Sequence, residues 1–327
     1  MAPSFASLWA QMFPRAPAFT GNNAPDLTGK VYIVTGSTSG MGLELARILY
    51  SKNARVYIAA REEDTAIASI KKAEPASRGE LVFLHLDLAD LNSVKASAER
   101  FLSTETRLHV LFNNAGYMAA DDKKMETTAQ GYEMQLGVMC LGPFLFTKLL
   151  APLLQATAAD RGSLTNEVRV VFVSSLAAEF YYEKEKGLGL DLENLDYSRP
   201  KSSMDRYGLA KVGVWAYGVE LSKRFSGVLG VPLNPGNLRT DLFSQQNFLF
   251  RLQVLLMHYH PINGAYTQLF AGLSPEVTTP GSYVLPWGRV GPICDDLQRA
   301  VRPESEGGVD LARKFWDWSE KQVEKYV

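Results

Sequence analysis

Tyr207-Gly208-Leu209-Ala210-Lys211 sets a phenol and an ammonium four residues apart. On a helix that spacing projects both groups from one face. A tyrosine titrates near ~10 in water, and a lysine charge about 4 Å away at an effective dielectric of ~20 favours the phenolate by roughly 4 kcal/mol, about three pKa units. Such a tyrosine exchanges protons near neutral pH, as reducing a carbonyl or oxidising an alcohol demands. The pattern is also common on ordinary helices, so its meaning depends on what accompanies it.

A second chemical signal lies in the first fifty residues. Thr35-Gly36-Ser37-Thr38-Ser39-Gly40-Met41-Gly42 stands between an apolar run and a helical one. There a glycine-rich turn lets backbone N–H groups approach a pyrophosphate at the positive end of the helix. The spacing is G-x-x-x-G-x-G rather than the commoner G-x-G-x-x-G. The next strand ends in Ala59-Ala60-Arg61, without the carboxylate that usually meets an NAD ribose 2′-hydroxyl. Arg61 instead offers a planar fork for a 2′-phosphate, with Ser37 as a hydroxyl partner, and the reading is NADP(H). A solvated charge at a strand end is the competing reading.

These residues need a scaffold that gathers the ends of several strands. Strand and helix patterns alternate from residue 30 onward: strands at 30–34, 55–60, 81–86, 109–112, 168–173 and 228–233, and helices at 42–50, 91–102, roughly 130–157 and 207–225, with one more between the second and third strands. That order predicts an α/β fold, a Rossmann-type doubly wound parallel sheet with helices on both faces. There is no linker-like segment and no internal repeat, so a single domain spanning 1–327 is expected, with 1–27 as an N-terminal extension. In the order Gly turn, Asp87, Asn113-Asn114-Ala115-Gly116, Ser175, Tyr207/Lys211 and Pro235-Gly236-Asn237-Leu238-Arg239-Thr240, each feature falls at the end of an expected strand or, for Tyr207/Lys211, on the expected helix.

With those segments in that order, the chain resembles the short-chain dehydrogenase/reductase family over residues 28 to 290. It is most similar to the retinol-dehydrogenase-like branch and its fungal members, on Leu141-Gly142-Pro143-Phe144-Leu145-Phe146-Thr147, on Pro286-Trp287-Gly288-Arg289, and on the long stretch between Ser175 and Tyr207. The resemblance implies Tyr207 as acid/base and Ser175 as the hydrogen-bond partner of the substrate oxygen. Lys211 would hold the nicotinamide ribose while acidifying Tyr207. It also implies that Gly36, Ser37, Ser39, Gly40, Met41, Gly42 and Arg61 face the cofactor phosphates, Asp87 the adenine, and Asn114, Ala115 and Gly116 the cofactor trough. Pro235, Gly236, Leu238 and Thr240 would hold the nicotinamide carboxamide. Ser174 points to the opposite face of its strand and is the weaker candidate. Asp87 is also an ordinary helix-opening residue, and Asn-Asn-Ala-Gly ordinary turn chemistry.

The chain departs from the family at one place. Aligned on Leu141-Gly142-Pro143-Phe144, Met139 stands where the family carries an asparagine that helps hold a water beside the catalytic lysine. A thioether is a weak acceptor and donates nothing, so an altered proton relay is expected; plain core filling is the alternative. The apolar run Leu242, Phe243, Phe248, Leu249, Phe250, Leu252, Leu255 and Leu256 is where the family builds its substrate lid, drawn here at 241–265, and implies an apolar small-molecule substrate. These residues would equally pack a helix onto the domain. The leading expectation is an NADP(H)-dependent ketoreductase of secondary metabolite biosynthesis. Reuse of the fold for a cyclisation, dehydration or isomerisation is the alternative, and a non-catalytic NADP-binding module the third reading.

Composition narrows the partners. Formal net charge is -1, hydrophobic residues make up 46% and charged residues 21%, so neither nucleic acid nor an acidic membrane is favoured. Cys140 and Cys294 lack metal-ligand spacing and the four histidines make no H-x-x-x-H pair, so no metal site is expected, and a reducing, cytoplasmic compartment fits. Phe5, Leu8, Trp9, Met12 and Phe13 fall at helical spacing but lack a basic flank, and Pro14 stops the run. This is not a secretory signal; it reads as an amphipathic helix lying on its own domain or touching a membrane surface. Residues 248–257 are too few to span a bilayer, so no transmembrane segment is expected. A homodimer through the long helices is compatible with the resemblance, unless the terminal extensions cover them.

Overall fold

The computed structural model describes residues 5–62, 65–119, 125–160, 162–184, 188–239 and 259–327. Apolar β-branched runs make the strands β1 (Val31–Thr35), β2 (Arg55–Ala60), β3 (Glu80–His85), β4 (Val110–Asn113), β5 (Arg169–Val173) and β6 (Leu229–Leu233). Every residue of β1, β4, β5 and β6 is buried, as a parallel sheet covered on both faces requires. Two short strands, β7 (Val284–Leu285) and β8 (Arg289–Val290), complete an eight-stranded sheet in the order β3-β2-β1-β4-β5-β6-β7-β8. All neighbours pair in parallel except β7 and β8.

The helices α1 (Phe5–Met12), α2 (Gly40–Ser51), α3 (Ala66–Ala73), α4 (Leu91–Leu102), α5 (Met134–Ala159) and α6 (Ser203–Arg224) precede α7 (Pro261–Leu273), α8 (Asp295–Ala300) and α9 (Leu311–Val323). One core packs α4, α5, α6 and α9 on one face of the sheet, and the other packs α2 and α7 on the opposite face. Strand order reverses between β1 and β4, so their carboxyl ends diverge into a crevice where such sheets bind ligands. The expected doubly wound single domain is thus observed.

Several boundaries differ from expectation. α6 starts at Ser203, four residues before the expected Tyr207, because Ser202 and Asp205 form a reciprocal capping box. α5 contains a π-helical turn at Gly137–Leu141 that no periodicity signals. Residues 261–265, drawn as the end of the lid, instead open α7, whose Gly264 packs against Met41 and Leu238. Residues 240–258, with Thr240 and the rest of the lid, lie outside the described residues. α5 is long and apolar enough to cross a membrane, but 72% of its apolar window is buried inside the protein, as in a core helix.

Both terminal helices correct the sequence picture. α9 sinks Phe315 and Trp316 between α5 and α6, with Trp316 edge-on to Phe144 at 4.8 Å and Phe315 stacked on Tyr217 at 4.9 Å. It covers part of the surface of the long helices α5 and α6. In α1 the aromatic part of the expected apolar stripe faces outward, with Phe5 79% exposed, Trp9 57% and Phe13 53%, while Leu8 and Met12 are half-buried and the fully buried residue is Gln11. The helix does lie on its own domain, but polar contacts hold it there.

Candidate active site

The cofactor side is built from backbone. Gly36 and Gly40 adopt φ of 64° and 57°, left-handed values that turn the chain from β1 into α2. A Cβ on Gly42 would stand 2.5 Å from Asn114 Nδ2 and 2.6 Å from the Gly36 carbonyl, and one on Gly36 would meet Ala115 Cα at 2.9 Å. The turn is therefore closed against the end of β4, and Asn114 Nδ2 stitches it by donating to the Thr35 carbonyl at 2.7 Å. Asn114 Oδ1 accepts from Gln268 of α7 at 2.9 Å, and Ala115 N–H donates to Thr35 Oγ1 at 3.0 Å. No side chain caps α2 at Ser39, so its first N–H groups face the crevice without a protein acceptor among the described residues. This cradle fits a dinucleotide pyrophosphate.

The remaining cofactor-side residues divide. Ser37 is fully buried and its hydroxyl donates to the Val34 carbonyl at 2.7 Å, so it does not serve as a phosphate partner. The left-handed Gly36 turns it inward; Ser39 is the exposed hydroxyl of the turn. Arg61 is exposed at the end of β2, with no hydrogen bond or ion pair to the described residues. Asp87 accepts the Ala89 N–H at 2.9 Å, while the cap of α4 is Asp90. Gly116 is exposed beside Ala115. Past β6, Pro235 is buried and Gly236 turns at φ 88°. The bridge to Tyr259 uses Asn237 C=O and Arg239 N–H, which leaves the Leu238 backbone directed to the other side.

The catalytic side gathers Ser175, Tyr207 and Lys211. Ser175 follows β5 in extended conformation, and its hydroxyl accepts the Ala177 N–H at 3.1 Å on the side of the strand end that faces the Tyr207 phenol, whose pKa it lowers slightly. Ser174 points away, as strand alternation predicts, and donates to the Lys211 carbonyl at 2.7 Å. Arg206, beside Tyr207, is buried in an ion pair with Glu133 at 3.1 Å and donates to the Lys201 carbonyl at 2.6 Å, which fixes the first turn of α6. Gly208 lets Tyr181 lie against the helix where a Cβ would meet it at 2.2 Å.

The electrostatics differ from the sequence estimate. Lys211 Nζ donates to the Val173 carbonyl at 2.8 Å and lies 5.6 Å from the centre of the Tyr207 ring. Burial pushes the Tyr207 phenol up to about 12, against a smaller lowering by Ser175, and lowers Lys211 to about 8. The direction is opposite to the expected lowering: burial dominates at Tyr207, and the Lys211 ammonium is directed to the Val173 carbonyl. Met139 is 3% exposed inside the π turn, and its neighbour Cys140 donates to the Ala210 carbonyl at 3.2 Å, one residue from Lys211.

Comparison with known proteins gives this geometry a family. A family profile described as short chain dehydrogenase matches residues 30–186. A short-chain dehydrogenase/reductase of Phomopsis amygdali is 50% identical, with 100% of each chain covered. The chain belongs to the short-chain dehydrogenase/reductase family. The relative bet4 of Neocamarosporium betae is 47% identical over 98% of this chain and 94% of its own, in keeping with the fungal resemblance. A crystal structure of an uncharacterised Mycobacterium paratuberculosis protein superposes with a TM-score of 0.66 at 25% identity, covering 94% of this chain and 97% of that one. The 3-ketoacyl-(acyl-carrier-protein) reductase of Brucella melitensis, solved with NADH, gives 0.59 at 21% identity over 80% of this chain and 98% of its own, a likeness of fold alone. Short-chain dehydrogenase/reductases are oxidoreductases that use nicotinamide cofactors, and this chain is one by membership.

Sequence reasoning missed three residues beside this site: Gln11, Glu179 and Asn234. Gln11 Nε2 donates to Glu179 Oε1 at 2.9 Å and Asn234 Nδ2 donates to Gln11 Oε1 at 2.7 Å, all buried. Their one signal was a glutamine inside an otherwise apolar helix. Among the described residues no cluster of metal-binding side chains occurs, and Cys140 and Cys294 are free and buried.

Proposed function

We propose that this chain is an NADP(H)-dependent ketoreductase that reduces a carbonyl on a mainly apolar small molecule, with Tyr207 as the proton donor. The observation that carries the reading is Tyr207 beside Lys211, whose ammonium reaches the Val173 carbonyl two residues before Ser175, at the carboxyl ends of the central strands. Bound NADPH would supply the hydride. Ser175 would hold the substrate oxygen, and Tyr207 would pass its proton to that oxygen as charge develops there. With its phenol pushed up to about 12, Tyr207 keeps its proton through the neutral range. Lys211, lowered to about 8, is still charged at neutral pH.

The cofactor choice rests on Arg61, an exposed and unengaged guanidinium where NAD-binding proteins place a carboxylate. The apolar substrate class rests on the run from Leu242 to Leu256. A biosynthetic role in secondary metabolism is supported by the fungal relatives, and a cytoplasmic setting by the two free cysteines. Met139 favours a second reading, a non-redox reaction on the same fold, because a buried thioether stands where the resemblance implies an amide. The test follows NADPH absorbance and product together: oxidation of one NADPH per alcohol formed supports the ketoreductase, and product without oxidation supports the second reading.

A further inference from the structure

The contacts that seat α1 on the protein converge on the loops around the reacting centre. Gln11 is 1% exposed on a helix whose aromatic residues face solvent and whose Leu8 and Met12 are only half-buried, so the burial of a polar amide there needs a reason other than the hydrophobic effect. Its amide joins two loops that do not otherwise meet in sequence. On one side it donates to Glu179, the last residue of the 3-10 turn that begins after Ser175. On the other it accepts from Asn234, whose Oδ1 in turn accepts the Gly236 N–H at 3.0 Å. Gly236 opens the loop containing Leu238, and Met12 Sδ accepts from Asn237 of that same loop at 3.0 Å. The Arg289 guanidinium donates to the Ala10 carbonyl and closes the seat from β8.

We infer that Gln11 is a positioning residue: α1 clamps the Ser175 turn and the Gly236–Leu238 loop at one separation, so that the substrate oxygen and the nicotinamide end of the cofactor are presented to each other in register. The inference rests on the ketoreductase reading for its consequence in turnover, but the clamp itself is a statement about two loops. A buried amide with both polar atoms engaged holds geometry more tightly than apolar packing, since a slip leaves Glu179 and Asn234 unpaired. Misplacement of reacting groups by about 1 Å costs on the order of 100-fold in rate, so small loosening is visible in turnover.

The experiment compares Gln11→Met, which fills the space without polar atoms, with Phe5→Ala on the outward face of the same helix. Hydrogen exchange of the whole protein should rise in Gln11→Met at both 175–184 and 229–239. NADPH affinity should fall about three- to tenfold and kcat by about tenfold more than KM rises, while the thermal midpoint falls by no more than a few degrees and the protein stays folded at the assay temperature. Phe5→Ala should match the parent throughout. If Gln11→Met does not fold, Gln11→Asn, which keeps both polar groups on a shorter reach, is read in the same way. Faster exchange confined to residues 5–13, with NADPH affinity and kcat unchanged, overturns the clamp. If the parent protein exchanges as expected but oxidises no NADPH with any carbonyl, the ketoreductase reading fails while the exchange result still decides the clamp.

Discussion

The two sides of the crevice are held by different means. Around β1 and β4 the geometry is backbone against backbone: Gly36 and Gly42 leave no room for a Cβ, and Asn114 and Thr35 bind main-chain groups across the turn. Around the ends of β5 and β6 it is side chain against side chain over long sequence distances, as in Arg206 with Glu133 and Gln11 with Glu179 and Asn234. The first kind of site tolerates little change in glycine positions but depends on few remote residues. The second can be retuned one side chain at a time, which suits a face that must follow its substrate.

The sharpest division between the two sides comes from Tyr207→Phe. It should lower turnover by about 10²–10⁴-fold, the usual weight of a general acid, and leave NADPH affinity within about twofold. A parallel loss of cofactor binding would merge the two sides. Next in size is Gly42→Ala, where the new Cβ meets Asn114 and the Gly36 carbonyl. Overpacking of about 1–3 kcal/mol should appear as a lower thermal midpoint and an NADPH affinity weaker by about ten- to a hundredfold. An unchanged affinity would mean the turn does not cradle the cofactor.

Arg61→Ala should remove most of the preference for NADPH over NADH, a change of about 1.5–3 kcal/mol by titration, with NADH affinity untouched. Equal affinities in the parent would contradict the assignment. The smallest effect is expected at Met139. If proton resupply limits turnover, Met139→Asn should raise the steady-state rate about two- to fivefold and leave a single turnover unchanged, because the first proton already sits on Tyr207. Folding must be checked alongside, since an unpartnered buried amide costs about 1–3 kcal/mol.

The contrast also explains which parts of the molecule were legible in the sequence. Strand ends and the glycine turn follow from local pattern and order, and so does the choice of Ser175, Tyr207 and Lys211, which the fold sets at the end of β5 and on α6. Ser37 was misread because its direction depends on the left-handed Gly36, a backbone property that residue type suggests but does not orient. Tyr207 was misread in its electrostatics, because spacing places a lysine nearby but shows neither the depth of burial nor the Val173 carbonyl that engages it. Gln11 was invisible for a simpler reason: its partners lie 168 and 223 residues away. Nothing within one helix predicts such a contact. The strands β7 and β8 have two residues each, too few to show a pattern, and the helices from α7 onward lie past the last expected strand and were not anticipated.

The central claim is that hydride leaves the nicotinamide for a substrate carbon while Tyr207 protonates the oxygen. It is tested most directly by supplying NADPH deuterated at the transferring position with an apolar ketone and measuring the alcohol by mass spectrometry. The account predicts one deuterium on the carbinol carbon of every product molecule formed by the parent protein, and almost no product from Tyr207→Phe. Product that carries no deuterium, formed while the labelled cofactor stays intact, would contradict it.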